Sequence, residues 1–237
     1  MAVGPDSQDR GWSRTAPPGT FMPMEASNTD SGQCDPGRTL LCVPTAQELR
    51  RLEQLAPDVV DRSRWLAVEI VGFGPIAAAA RAAALVAETR PERVVLIGIA
   101  GSHGSGLAVG EAAWFGDVAL DGVGAGEGSS LLLPSNLGLP QWQGVDEHLP
   151  LADDGPLLLT VCAAAEGSSM LAARRGRFPS AVAEDMEAFG VALAAHLAGV
   201  PLHVARGISN VAGDREHSGW KIDDALSAAA ALVHEAF

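Results

Sequence analysis

From Thr39 onwards, short apolar runs alternate with Ala-rich stretches in which apolar residues recur every three or four positions. The apolar runs predict buried strands at residues 39–43, 65–71, 94–99, 157–162 and 202–208, with one or two further strands between 109 and 120. The Ala-rich stretches predict helices at residues 45–55, 75–89, 182–197 and 222–234. Residues 131–156 are rich in Pro and Gly and follow neither pattern.

The alternation of strands and helices is typical of an α/β protein, so we expect a mostly parallel central sheet flanked by helices. In such sheets ligands bind beyond the carboxyl ends of the strands, which lie at one edge. Three segments with small or polar residues follow predicted strands, at residues 43–45, 100–102 and 209–210. The sequence therefore predicts that these segments meet in one site.

Residues 1–37 have a different composition, rich in Pro, Gly, Ser, Asp and Thr, with no hydrophobic periodicity. Such a segment buries too little apolar surface to offset the entropy that is lost on folding. We therefore expect residues 1–37 to be a disordered extension. Residues 38–237 are expected to form one domain, which is long enough to bury a sizeable core.

Charge and cysteine content narrow the range of partners. The formal net charge of −13 argues against nucleic acid or an anionic membrane surface, since both require clustered Lys and Arg. The three cysteines have no metal-ligand spacing, so neither a disulfide framework nor a metal site is expected, and no organic cofactor is indicated. Because no apolar stretch is long enough to cross a bilayer and no secretory signal is present, we expect a soluble cytoplasmic protein.

Two of the segments at the predicted sheet edge could approach a ligand. Ala100 and Gly101 are small, so their backbone can come close to a bound molecule, although a tight turn is the alternative. Asn210 follows Ser209 at the end of a predicted strand. Its side-chain amide offers two donors and an acceptor in one plane, and the alternative is a loop residue that bonds its own backbone.

Carboxylates at two predicted helix starts are candidates for chemistry. Glu184, Asp185 and Glu187 would lie in a first helical turn, where the helix dipole favours negative charge. Alternatively, Glu187 accepts hydrogen bonds from vicinal sugar hydroxyls, with Met186 packed under the sugar. Glu48 completes a Thr-x-x-Glu capping box, and the alternative is that its carboxylate polarises a water molecule.

Taken in order, three motifs resemble the nucleoside phosphorylase superfamily: Gly98-Ile99-Ala100-Gly101, Glu184-Asp185-Met186-Glu187 and Arg206-Gly207-Ile208-Ser209-Asn210. The resemblance implies that residues 38–237 form a catalytic domain with the three-layer phosphorylase/hydrolase-like fold, which binds a small-molecule purine nucleoside. It places Met186 and Glu187 at the ribose, and the segment that ends in Asn210 at the base. It also implies a homo-oligomer in which a neighbour's loop completes each pocket, while Arg206 is expected to be structural.

Within the superfamily, Asn210 distinguishes this chain from methylthioadenosine/adenosylhomocysteine nucleosidases, which carry Asp after Ile-Ser. Asn in this position and the Glu-Asp-Met-Glu string resemble the futalosine hydrolases. That family removes hypoxanthine from futalosine in a menaquinone pathway. Hypoxanthine presents adjacent acceptors at O6 and N7, and one Asn amide group can donate to both.

A hydrolase is favoured over a phosphorylase by the segment after the first strand. Phosphorylases of this fold carry a Gly-Asp-Pro-x-Arg phosphate loop there, whereas this chain has Val43-Pro44-Thr45-Ala46-Gln47-Glu48. A carboxylate at this place would repel phosphate, and Glu48 resembles the water-activating glutamate of the nucleosidases. The alternatives are a methylthioadenosine/adenosylhomocysteine nucleosidase, a purine nucleoside phosphorylase and a non-catalytic nucleoside-binding protein.

Two features do not follow from the resemblance. No motif identifies the aromatic residue that stacks on the base, and Trp114, Phe115 and Phe189 are the candidates. His103 follows the glycine turn where an apolar or aromatic residue was expected, and we interpret it as a loop residue.

Overall fold

The computed structural model of the protein describes residues 38–237, so the extension predicted at residues 1–37 lies outside the described residues. Within residues 38–237 the chain forms nine strands and six α-helices. The strands are β1 (Thr39–Val43), β2 (Ala67–Ile70), β3 (Arg93–Ser102), β4 (Ala112–Phe115), β5 (Asp117–Asp121), β6 (His148–Pro150), β7 (Leu157–Val161), β8 (Ala181–Asp185) and β9 (Leu202–Val211). The helices are α1 (Ala46–Leu55), α2 (Pro75–Thr89), α3 (Pro134–Leu137), α4 (Gly167–Arg177), α5 (Ala188–Ala198) and α6 (Ile222–Ala236).

The strands form one mixed sheet that is mostly parallel, as predicted. Its order is β2-β1-β3-β8-β7-β5-β6, and β9 pairs with both β3 and β4. The pairs β1–β2, β1–β3, β3–β9, β5–β7 and β7–β8 are parallel, whereas β3–β8, β4–β9 and β5–β6 are antiparallel. Strand β3 is therefore the central element, since it pairs with three neighbours along its ten residues.

Helices cover both faces of the sheet because the central strands are apolar on both faces. One face packs against α1 and α6 through Leu41, Val43, Val95 and Ile97. The other face packs against α2 and α5 through Leu40, Cys42, Val94 and Leu96. This arrangement gives the three layers expected from the sequence. Among residues 38–237, no helix is both long enough and apolar enough to cross a membrane.

The sequence prediction was wrong in two regions. Residues 181–185 form β8 rather than the first turns of a helix, and α5 begins only at Ala188. The acidic pair Glu184 and Asp185 is typical of a solvated helix start, but both carboxylates are buried and held by arginines of other elements. Helix α4 was not predicted, because its run of Ser, Gly and Arg has no clear apolar period.

Strands β3 and β9 also extend further than predicted. Gly98 and Gly101 do not end β3, which continues to Ser102, and β9 continues to Val211. The two strands pair in parallel over this extra length, with one register shift after Ala100. Segments expected just beyond the strand ends therefore belong to the sheet itself.

We expect the contact between α2 and α5 to depend on the lack of a side chain at Gly190. A Cβ atom there would collide with the Pro75 carbonyl oxygen and lie 3.0 Å from the Ala79 nitrogen. Gly190→Ala should lower the free energy of unfolding by about 1–3 kcal/mol, the usual range for overpacking. In the control Gly176→Ala, within α4, the added Cβ meets nothing within 4 Å. Urea unfolding should show the control unchanged or more stable by up to about 1 kcal/mol, and equal effects of the two changes would contradict this packing argument.

Candidate active site

The three predicted segments do meet at one edge of the sheet, at the carboxyl ends of β1, β3 and β9. These strands are parallel neighbours, with β3 between the other two. Gly98 lies beside Arg206 in the β3–β9 register, and Gly101 lies beside Asn210. Helix α1 begins just after β1 and brings Glu48 to the same edge. The segments that were predicted to meet therefore lie together at one edge of the sheet.

Glu48 combines a capping position with a place in this site. The Thr45 hydroxyl oxygen accepts a hydrogen bond from the Glu48 backbone N–H at 3.2 Å, which caps α1. The carboxylate itself is buried: Oε2 accepts from the Thr45 hydroxyl at 2.7 Å, and Oε1 accepts from the Ile99 N–H at 3.2 Å. Burial raises the pKa of Glu48, and the Thr45 hydroxyl and the Arg206 charge counteract part of that rise.

Gly98 lets Glu48 and Arg206 approach each other over the sheet edge. A Cβ atom at this position would collide with Nη1 of Arg206, and it would lie 2.8 Å from Oε1 of Glu48 and 2.9 Å from Cγ of Pro44. No side chain fits between these groups, so the two charged side chains require glycine here.

Arg206 is the largest fully buried side chain of the site, and the sequence analysis had assigned it only a structural role. Its Nε and Nη2 donate to Oδ2 of Asp185 at 3.1 and 2.7 Å, and Nη2 lies 3.8 Å from Oε2 of Glu187. Its Nη1 is buried and has no hydrogen-bond partner among residues 38–237. A charged residue inside the apolar run of β9 was the sequence signal for this role.

Asp185 fixes the orientation of Arg206. Its Oδ1 accepts from the Thr160 hydroxyl at 2.6 Å, and its Oδ2 accepts from the Ala188 N–H at the start of α5 at 2.9 Å as well as from Arg206. Because all these partners are buried, the guanidinium plane is held in one direction and Nη1 remains available to a ligand.

Glu187 immediately precedes α5 and is buried between that helix and α2. Its Oε1 accepts from the Gly74 N–H at the start of α2, at 3.1 Å. Burial and the nearby charge of Asp185 raise the pKa of Glu187 to about 7, although Arg206 opposes the shift. Glu187 therefore exchanges a proton close to neutral pH.

Asn210 lies within β9 rather than in a loop, and it satisfies part of its amide group locally. Its Oδ1 accepts from the Ser209 hydroxyl at 2.8 Å, and its Nδ2 donates to the Val211 carbonyl at 2.9 Å. One amide hydrogen is left for a ligand, because an Asn amide carries two. The Ser209 hydroxyl also lies 3.4 Å from the Ala100 carbonyl oxygen, so Ser209 links the two strands.

The remaining predicted site residues differ in how they are placed. Ala100 is buried in the core below α2 and α5, and Gly101 approaches the backbone of Ala212. Met186 is half-buried and packs against the apolar cluster around β7, which includes Leu159. Met186 thus lies directly after β8 and next to Glu187 in the chain. The side chain of Ala100 faces the core, so only its backbone is left to face a ligand.

The three aromatic candidates for stacking on a base were wrong. Phe115 and Phe189 are fully buried in the core, and Trp114 packs against His203 and Phe237 near the start of β9, away from Asn210. Their apolar surroundings explain them without a ligand. Within the described part of the chain, no cluster of His, Cys, Asp and Glu is arranged to hold a metal ion.

Comparisons with known proteins identify the fold and the family of this chain. No family model matches the chain. The futalosine hydrolase of Streptomyces coelicolor is 38% identical over 176 residues, which cover 66% of this chain and 72% of the relative. A second curated relative, the futalosine hydrolase of Acidothermus cellulolyticus, is 50% identical over a shorter stretch of 52 residues.

Solved structures share the fold. The futalosine hydrolase of Helicobacter pylori superposes with a TM-score of 0.65 at 15% identity, covering 84% of this chain and 95% of that one. The 5'-methylthioadenosine/S-adenosylhomocysteine nucleosidase of Colwellia psychrerythraea, solved with adenine, has a TM-score of 0.65 at 19% identity and covers 82% and 93%. The structures establish the fold, and the Streptomyces relative establishes the family: this chain belongs to the futalosine hydrolases.

Proposed function

We propose that this protein hydrolyses the N-glycosidic bond of futalosine, releasing hypoxanthine and dehypoxanthine futalosine, in the futalosine route of menaquinone biosynthesis. The observation that carries the proposal is the convergence of Glu48, Arg206 and Glu187, with Asn210 further along β9, in a member of the futalosine hydrolase family. Two carboxylates and a guanidinium at one sheet edge suit the activation of water next to a sugar.

The attacking water would bind between Glu48 and Arg206, above Gly98. The buried Nη1 of Arg206 has an unused donor, and Oε1 of Glu48 lies next to it across Gly98. Glu48 would act as general base and take a proton as the water oxygen bonds to the anomeric carbon. The carbon–nitrogen bond breaks through an oxocarbenium-like transition state, and its electron pair leaves with the base.

Glu187 would hold the ribose hydroxyls and so fix the ring for attack. The Gly74 N–H fixes Oε1 of this carboxylate, while the other oxygen faces Arg206 at 3.8 Å. Met186 would line the sugar subsite, and Ala100 and Gly101 would let the β3 backbone approach the nucleoside. Holding the ribose in one geometry lowers the barrier by removing its rotational freedom before attack.

Asn210 would stabilise the departing hypoxanthine. Its remaining amide hydrogen can donate to N7 or O6, where negative charge develops as the glycosidic bond breaks. Ser209 would hold the amide in the orientation that this requires, through its hydroxyl at 2.8 Å from Oδ1. A neutral amide cannot supply a proton, so the leaving group would be protonated by water.

Hydrolysis is favoured over phosphorolysis because of the buried Glu48. Phosphate would have to bind next to this carboxylate, and the repulsion between the two anions is strong where water is largely excluded. We therefore propose that catalysis is independent of phosphate.

The protein would act in the cytoplasm as a homo-oligomer. Phe73 and Ile76 are 69% and 84% exposed, and they flank Gly74, which donates to Glu187. Two large apolar side chains beside a catalytic carboxylate favour a surface that a second copy covers, which would shield the sugar subsite from bulk water.

The first prediction from this mechanism concerns phosphate and the general base. Purified protein should release hypoxanthine from futalosine at the same rate with and without phosphate, and faster than it releases a base from inosine or methylthioadenosine. Glu48→Gln should lower kcat by about 10²–10⁴-fold, the usual contribution of a general base. A requirement for phosphate would identify a phosphorylase, and binding of futalosine without turnover by the unmodified protein would identify a nucleoside-binding protein.

The second prediction concerns pH. The pKa of Glu187 is raised to about 7, and its ionised form is the one that accepts ribose hydroxyls. The kcat/KM for futalosine should therefore fall by about tenfold per pH unit below pH 7 and level off above it, because kcat/KM follows ionisations of the free enzyme. In Glu187→Gln this acid limb near pH 7 should be absent and kcat/KM should be low throughout. A profile of the unmodified enzyme that is flat from pH 5 to pH 8 would refute the assignment.

The third prediction concerns the base. In Asn210→Asp, the ionised carboxylate would repel O6 of hypoxanthine and accept from the exocyclic amine of adenine. The ratio of kcat/KM for methylthioadenosine to that for futalosine should rise by about tenfold or more, equivalent to about 1.4 kcal/mol. Competition assays with both nucleosides measure this ratio, and an unchanged base preference would remove Asn210 from base recognition.

A further inference from the structure

A second cluster of buried charges lies beside the active site and has no role in the mechanism above. It consists of His103, Asp121, Arg174, Arg177 and Glu184, contributed by the end of β3, the end of β5, α4 and β8. All except Arg177 have side chains that are at most 6% exposed. Burying so many charges costs free energy, which calls for an explanation beyond stability.

His103 lies in the loop after β3, as the sequence suggested, but its side chain is fully buried and both ring nitrogens have a partner. Its Nδ1 lies 3.2 Å from the Ala181 carbonyl oxygen, and its Nε2 lies 3.4 Å from Oε2 of Glu184. Both neighbours are acceptor oxygens. His103 thereby ties the end of β3 to both ends of β8.

Arg174 ties helix α4 to the same cluster. Its Nη1 donates to Oε2 of Glu184 at 2.9 Å, and its Nε donates to Oδ2 of Asp121 at 3.3 Å. Arg177, one turn later, donates to Asp121 at 2.8 Å. Burial alone would raise the pKa of Glu184, but the hydrogen bond from His103 and the charge of Arg174 outweigh it and hold the pKa below its usual value.

Two members of the cluster hold the backbone that leads into α4, at residues 163–167. Oε1 of Glu184 accepts from the Ala165 N–H at 2.8 Å. Nη2 of Arg174 donates to the Ala163 carbonyl oxygen at 2.5 Å. Charged side chains therefore fix residues 163–167 through one hydrogen bond to a backbone N–H and one to a backbone carbonyl.

Residues 163–167 also contact the residues that directly follow β9, just beyond Asn210. Ala165 packs against Ala212, and the Gly167 N–H donates to the Gly213 carbonyl at 3.3 Å. Asn210 precedes Ala212 by two residues on the extended chain, so residues 163–167 border the place where Asn210 would meet a base.

We propose that His103, Glu184 and Arg174 are positioning residues for the purine base, because they hold residues 163–167 as a fixed wall of the base subsite. This inference rests on the proposed function. A wall held in place before binding lowers the entropy that is lost when the base is ordered, and so strengthens binding of the base. The chemistry at the ribose depends on the other cluster, so loss of the wall weakens binding more than turnover.

The test uses Glu184→Gln, which keeps the size of the side chain but removes its charge from between Arg174 and His103. The KM for futalosine and the dissociation constant of hypoxanthine should both rise by about tenfold, while kcat at saturation stays within about threefold. Steady-state kinetics and calorimetric titration with hypoxanthine measure the three quantities. The matched control is Asp153→Asn, which alters another His–carboxylate pair, 3.0 Å from His203 near the opposite end of β9. The control should leave all three quantities unchanged.

A second variant covers the case in which Glu184→Gln does not fold. His103→Asn retains a donor for the Ala181 carbonyl and removes only the link to Glu184, so it should raise the same two constants by a smaller factor. Folded variants that bind hypoxanthine as tightly as the unmodified protein would overturn the inference, as would a large loss of kcat with an unchanged KM. If the unmodified protein neither binds hypoxanthine nor cleaves futalosine, the proposed function fails as well, so the two failures are distinguishable.

Discussion

The active site depends on one buried guanidinium. Arg206 has no exposed surface, and the carboxylates of Asp185, Glu187 and Glu48 all lie near enough to raise its pKa although burial alone would lower it. Without this positive charge, three buried carboxylates would face one another uncompensated, a situation that usually costs several kcal/mol. Asp185 takes two of the donor groups of Arg206, and the third, Nη1, is buried beside Gly98 without a hydrogen-bond partner among residues 38–237. The ion pair between Arg206 and Asp185 thus offsets the buried negative charge and leaves one donor of the guanidinium unpaired.

The charge of Arg206 does not fully offset the burial of Glu187, and this links the activity of the protein to its stability. The pKa of Glu187 is about 7 in the folded protein, against a usual value of 4.5. Between these two values the folded state binds more protons than the unfolded state, so this group lowers stability as the pH rises from about 4.5 through about 7. Above pH 7 the full cost of a buried charge is present, which is also the range in which the ionised carboxylate can accept ribose hydroxyls. The protein therefore gives up some stability at neutral pH to hold Glu187 charged.

Much of the sheet could be predicted from the sequence, because apolar runs such as β1 and the start of β3 report burial on both faces directly. The rule on strand ends predicted that Glu48 and Asn210 lie at one edge of the sheet, and the structure places both of them there. Buried charge was what the pattern could not predict. Glu184 and Asp185 are residue types typical of a solvated helix start. They can be buried in a strand only because Arg174 and Arg206, which are distant in the sequence, bind them. The burial of His103 was missed for the same reason, since its partners come from β8, about 80 residues later in the chain.

The two charged clusters are joined in the acidic pair at the end of β8. Successive side chains of a strand point to opposite faces, so Glu184 and Asp185 turn towards different layers of the protein. Asp185 meets Arg206 and the start of α5, where the carboxylates of the mechanism lie. Glu184 meets Arg174 and the segment before α4, which we propose as the wall of the base subsite. The chain then continues directly into Met186 and Glu187. A shift of β8 along its own axis would move Glu187, Arg206 and residues 163–167 together. This one strand therefore sets the distance between the proposed ribose subsite and the proposed base subsite.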